Sequence, residues 1–191
     1  MADVNVDAER LKQLTWLAGR KSTPAPWQRS VFLTRHGAAA TDGYSSGWYR
    51  DDHHDIPEGQ MLAPDAADLR RQIGKGDVDL GELEPDSVGL LRWLVSTAAG
   101  ARQGDRFRVP NGGAWIAALN KQAKAGARRL HVRSDLILVA DTTRRALRQW
   151  KGRDAELELW YTDSLCYTQC PVTEVHLMWT KIDPAIDPGN G

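Results

Sequence analysis

The sequence predicts an α+β domain: two helices packed on a largely antiparallel β-sheet, plus an acidic, partly helical insertion. Three observations carry this. Helical periodicity is confined to short segments, at residues 7–20, 64–73, 86–98 and 114–124. Short apolar strands follow the first and last of these in series. No regular strand–helix–strand alternation runs along the chain, which disfavours a doubly wound parallel sheet.

In order, residues 7–20 (DAERLKQLTWLAGR) place Leu11, Leu14, Trp16, Leu17 and Ala18 near one helical stripe, with Arg10, Lys12 and Arg20 on the polar side. Pro24 and Pro26 stop any helix before them. Ser30–Thr34 reads as a strand, Gly37 as a turn and Ala38–Thr41 as a returning strand; Gly43, Ser45, Ser46 and Gly47 then break the pattern. Pro64–Ile73 is a short helix with Asp65 and Asp68 at its positive end, and Asp86 caps a helix through about Ala98. Arg106–Pro110 alternates like a half-buried strand. Asn111 then leads into a helix over Ala114–Lys124, stopped at Gly126. Arg129–Arg133 and Leu136–Ala140 flank Ser134-Asp135 as a hairpin. Thr142–Trp150 reads as either a short helix or an irregular strand. Glu156–Thr162, Leu165–Thr168 and Thr173–Lys181 close the chain as strands, and residues 184–191 read as a flexible tail. Two helix-then-strands units hint at an internal duplication.

Composition is ordinary for a globular domain: 191 residues, 41% apolar and 26% charged, with no net charge. No apolar run is long enough to span a membrane, and the acidic, polar start is unlike a secretory signal. Two cysteines cannot staple a chain of this size, so Cys166 and Cys170 read as ordinary strand residues in a cytoplasmic setting. Charge is strongly segregated. Residues 51–105 carry twelve acids against five bases, and residues 106–153 carry twelve bases against two acids. This division makes 1–50 with 106–183 one domain and 51–105 an acidic insertion. The basic block needs an anionic partner or acidic neighbours in the fold.

Four groups of residues carry candidate chemistry. Thr34-Arg35-His36-Gly37 follows an apolar strand, and a nucleophilic His36 with a phosphate-clamping Arg35 resembles the histidine phosphatases. The later His131 and His176 lack the glycine that follows the second histidine of that family. Asp51-Asp52-His53-His54-Asp55 offers metal-ligand types, but neighbours along an extended chain point to opposite faces, so the run reads as a solvated loop and no metal or cofactor is expected. Lys121 and Lys124, with Arg128 and Arg129 beyond them, join Arg10, Lys12 and Arg20 as basic helix surfaces suited to phosphate contact without base reading. Finally, Met178 and Trp179 lie in the closing strand.

The run Ala39-Ala40-Thr41-Asp42-Gly43-Tyr44 resembles the Ala-Thr-Asp-Gly-His segment of the bacterial DNA sliding clamps. The order basic helix, SVFLT, AAATDGY is similar too, as are RFRVPNGGAWIAALNKQAKAG and the closing strands through Thr173–Ile182. Tyr44-Ser45-Ser46 replaces the family's His-Arg-Leu, and the chain is short for a clamp. The resemblance implies two helices lining a DNA channel, sheets on the outside and no catalysis. It implies nonspecific contact with duplex DNA through Arg10, Lys12, Arg20, Lys121, Lys124, Arg128 and Arg129. An outer apolar groove involving Met178 and Trp179 would take polymerase or clamp-loader proteins, and ring closure would need several copies, a homo-oligomer. The alternatives are a phosphoesterase using Arg35 and His36, or a protein-interaction module without DNA binding.

Overall fold

Asp7 accepts hydrogen bonds from the backbone N–H groups of Glu9 and Arg10 and so opens the first helix, α1, at Ala8–Leu14. The structure is a computed structural model and describes residues 7–19, 25–52, 54–76, 78–125, 130–133, 136–138, 141–150, 152 and 154–180. Helix α1 ends sooner than its apolar stripe, and tertiary contact supplies the reason. Arg70 donates to the Thr15 carbonyl and, at 3.0 Å, to its hydroxyl, while the guanidinium lies 3.9 Å from the centre of the Trp16 ring. The chain continues in turns through Leu17.

A short 3-10 turn, Pro26–Arg29, leads into three antiparallel strands: β1 (Val31–Thr34), β2 (Gly37–Thr41) and β3 (Ser45–Arg50). Arg35 and His36 form the two-residue turn between β1 and β2. Strand β3 begins where glycine and serine suggested a break. The serine hydroxyls are satisfied, Ser46 by Thr41 at 2.7 Å and Ser45 by the distant Thr143, so the polar residues are tolerated in a buried strand. At Gly47 a Cβ would collide with Leu17 and with the His176 carbonyl, so glycine lets α1 seat on the sheet.

Residues 51–105, expected as an inserted acidic lobe, wrap around this sheet. Strands β4 (Gln60–Met61) and β5 (Glu84–Pro85) pair with each other, and Leu62 and Asp65 bridge to the edge of β1. Helix α2 (Ala66–Ile73), capped by Asp65, packs against α1. Helix α3 (Leu90–Ala101) begins later than predicted, because the Asp86 carboxylate accepts from Gly89 N–H and holds a loop instead of a helical turn.

Strand β6 (Asp105–Val109) leads to α4 (Gly112–Lys124), with Asn111 as its N-cap. The predicted hairpin forms as β7 (Leu130–Arg133) and β8 (Leu136–Leu138); its turn, Ser134-Asp135, lies outside the described residues, as do Gly126 and the tail 184–191. The ambiguous segment is helical, as α5 (Asp141–Leu147). Strands β9 (Leu157–Tyr161), β10 (Leu165–Gln169) and β11 (His176–Thr180) complete the chain.

The main sheet has seven antiparallel strands in the order β1-β2-β3-β11-β10-β9-β6. Two three-strand meanders, β1-β2-β3 and β9-β10-β11, thus meet edge to edge at β3 and β11, with α1 ahead of the first and α5 directly before the second. Alternate residues face two separate cores. Val31, Leu33, Ala38, Tyr49, Leu159, Leu177 and Trp179 share one with α1, α2, α4 and α5. Phe32, Ala39, Trp48, Tyr167 and Met178 share the other with Leu90, Leu91, Leu94 and Ala98 of α3. Coverage of both faces explains why the strand segments read as continuous apolar runs. It also accounts for part of the tryptophan content, since Trp48, Trp150 and Trp179 are buried.

Candidate nucleic-acid face

Leu11 and Leu14 of α1 and Ile116 and Leu119 of α4 fall in the same core on the same side of the sheet. The opposite sides of the two helices therefore face away from the sheet. Lys12 on α1, and Lys121 and Lys124 on α4, are exposed and form no ion pair among the described residues. Arg10 differs. It lies 3.5 Å from Asp7, 3.9 Å from Asp51 and 3.5 Å from Glu174, with its guanidinium 5.5 Å from the Tyr49 ring centre. Its charge is held by the protein's own carboxylates. Arg20, Arg128 and Arg129 lie outside the described residues.

A third basic element, α5, stands beside this face and was not among the residues singled out from sequence. It packs against α4, where Arg144 donates to Asn120 Oδ1 at 2.7 Å. Thr143 bonds to Ser45 of β3 from the same helix. The run Arg144-Arg145-Ala146-Leu147-Arg148 carried the signal, but helix and strand were equally open readings there.

The other candidates resolve differently. Met178 and Trp179 are 3% and 1% exposed and point into the two opposite cores, so neither side chain is presented to a partner. Adjacent residues on a strand covered on both faces cannot share an outer groove. The exposed aromatic near the clamp-like segment is instead Tyr44, at 63% exposure in the turn between β2 and β3. Asp42 shapes that turn by accepting from Tyr44 and Ser45 N–H groups, and the Asp42 carbonyl accepts from Gln28 at 3.1 Å. Trp27, beside Gln28, is also exposed.

His36 sits at a hairpin turn with both ring nitrogens facing carboxylates, Nδ1 at 3.3 Å from Asp52 and Nε2 at 3.1 Å from Glu58. That arrangement leaves neither nitrogen open for nucleophilic attack. His54 is a core residue whose Nδ1 bonds the Thr34 carbonyl at 2.9 Å; His53 lies outside the described residues. Among the described residues, no group of three or more His, Cys, Asp or Glu side chains is placed to hold a metal. Cys166 and Cys170 are both buried and unbridged. No helix among the described residues is long and apolar enough to cross a membrane.

The fold of this chain is similar to that of the bacterial DNA polymerase sliding clamps. The chain is similar to the clamp of Caulobacter crescentus, at a TM-score of 0.60 and 13% identity over 95% of this chain and 66% of that one. It is similar to a Pseudomonas aeruginosa clamp at 0.62 and 12%, over 96% and 68%. A Helicobacter pylori beta clamp bound to a DNA ligase peptide gives 0.64 and 8%, over 95% and 65%. The chain thus spans about two thirds of the length of these clamps. No protein-family model matches the sequence, and no curated protein matches it at a significant level.

Proposed function

We propose that the protein is a non-enzymatic, clamp-like DNA-associated factor of the replication or processivity type, which holds duplex DNA by its backbone. The observation that carries this reading is that α1 and α4 both pack into the core on one face of the sheet, with exposed Lys12, Lys121 and Lys124 unpaired by any carboxylate among the described residues. Arg20, Arg128 and Arg129 extend the same basic segments in sequence. Arg10 contributes through its position near Lys12 rather than as an open charge. Such a surface grips phosphates without reading bases, which is what sliding requires. Partner proteins of the polymerase or clamp-loader kind dock near the turn carrying Tyr44, and several copies assemble around the duplex.

The test is duplex binding at a series of salt concentrations. Affinity falls steeply with salt and is insensitive to sequence, and replacing Lys12, Lys121 and Lys124 with glutamate abolishes it. Binding that survives the triple replacement removes the assigned surface. Crosslinking or sedimentation of the chain with DNA present reports whether several copies assemble.

A further inference from the structure

A cleft of about 430 Å³ opens at the end of the sheet, between the Arg35-His36 turn and the start of α3. Three exposed arginines on separate elements line it: Arg35 from the turn, Arg50 from the end of β3, and Arg92 from the first turn of α3. None of the three side chains forms a hydrogen bond or ion pair among the described residues. Two acids also line the cleft, each paired with a neighbouring residue of the same cleft. Glu58 faces His36, and Asp86 accepts from the Gly89 N–H. Helix α3 opens at Gly89 with no side-chain cap and no acid in its first turn, so its dipole adds positive potential to the same cleft. Leu91, Val95 and Pro57 supply an apolar wall.

We propose that this cleft binds a small phosphate monoester carried on an apolar body, with Arg35, Arg50 and Arg92 on the phosphate oxygens and Leu91 and Val95 against the body. Three separate guanidiniums match a head with three terminal oxygens better than a two-oxygen carboxylate. The volume suits a small ligand and is too small for a macromolecular surface. The role is binding and not hydrolysis, because both His36 nitrogens face carboxylates. The cleft involves no residue of the α1 and α4 surface, so the proposal stands or falls apart from DNA binding.

The test is calorimetric titration of the full chain with phenylphosphonate, which cannot be hydrolysed. One site is expected. Arg50→Ala and Arg92→Ala each weaken it about tenfold or more, as loss of a charge-assisted contact requires. Lys75→Ala, at an exposed position away from the cleft, leaves it unchanged. Inorganic phosphate and benzoate, lacking the body and the third oxygen respectively, bind more weakly. No binding up to about 10 mM, which corresponds to an affinity too weak for a built site, overturns the proposal. So does an affinity unmoved by both arginine substitutions, or one that benzoate matches.

Discussion

The Tyr167 hydroxyl lies 2.7 Å from Nδ1 of His176, across the β10–β11 pair. Arg102 donates to the same tyrosine oxygen, which leaves the hydroxyl proton for the imidazole and places the histidine's own proton on Nε2. The ring stacks on Trp48 at a centroid distance of 4.9 Å. Burial, with Arg102 and Arg50 nearby, lowers the His176 pKa to about 4. The unfolded chain takes up a proton near pH 6.5 that the folded chain refuses until about pH 4. Stability from this group is therefore complete above pH 6.5 and lost as pH falls towards 4, by roughly 2–3 kcal/mol. Urea unfolding between pH 7 and 4.5 shows a steeper loss in the natural chain than in His176→Gln. Equal slopes remove the assignment.

Arg10 and Lys12, two residues apart on α1, separate structural from surface charge. Arg10→Ala loses the contacts with Asp51, Glu174 and the Tyr49 ring and lowers stability by about 1 kcal/mol. Lys12→Ala leaves the unfolding midpoint within about 0.5 kcal/mol of the natural chain. In salt titrations of duplex binding, Lys12→Ala reduces the slope by about one phosphate contact. Denaturation and binding measured on the same two variants check both halves.

Met178 and Trp179 act as core residues. Met178→Ala costs about 2–5 kcal/mol through a cavity beneath α3, and Trp179→Ala about 3–5 kcal/mol on the opposite face. Adjacent on one strand, the two positions are coupled through shared backbone, so the double variant departs from the sum of the singles. Chemical denaturation of the single and double variants measures this.

Gly47→Ala forces a methyl group against Leu17 and the backbone carbonyl of His176. It destabilises the chain by about 1–3 kcal/mol. Gly59→Ala, where a Cβ meets open space at φ +76°, acts only through backbone strain and costs about 1 kcal/mol. Thermal unfolding of the pair distinguishes steric contact from strain.

Most of the elements were legible along the chain because caps and breakers act locally. Asp65 starts α2 and Asn111 starts α4 as their spacing predicts. Strand β3 was not legible, since Ser45, Ser46 and Gly47 read as a break until partners 98 and five residues away satisfy the two hydroxyls. The basic face was legible as residues but not as a surface. Charge counts cannot distinguish Arg10, enclosed by three carboxylates from separate segments, from Lys12, which stays open.

The sequence by itself determined the α+β class, the order of helices and strands, and the segregation of charge, because each depends on periodicity and composition over a few neighbouring residues. Tertiary structure alone decided that the two meanders join at β3 and β11, that α3 buries the second face of the sheet, and that Met178 and Trp179 are interior. It also decided that three arginines from distant segments line one cleft. Those outcomes depend on which apolar surfaces exclude water from each other, and no local run of residues contains that information.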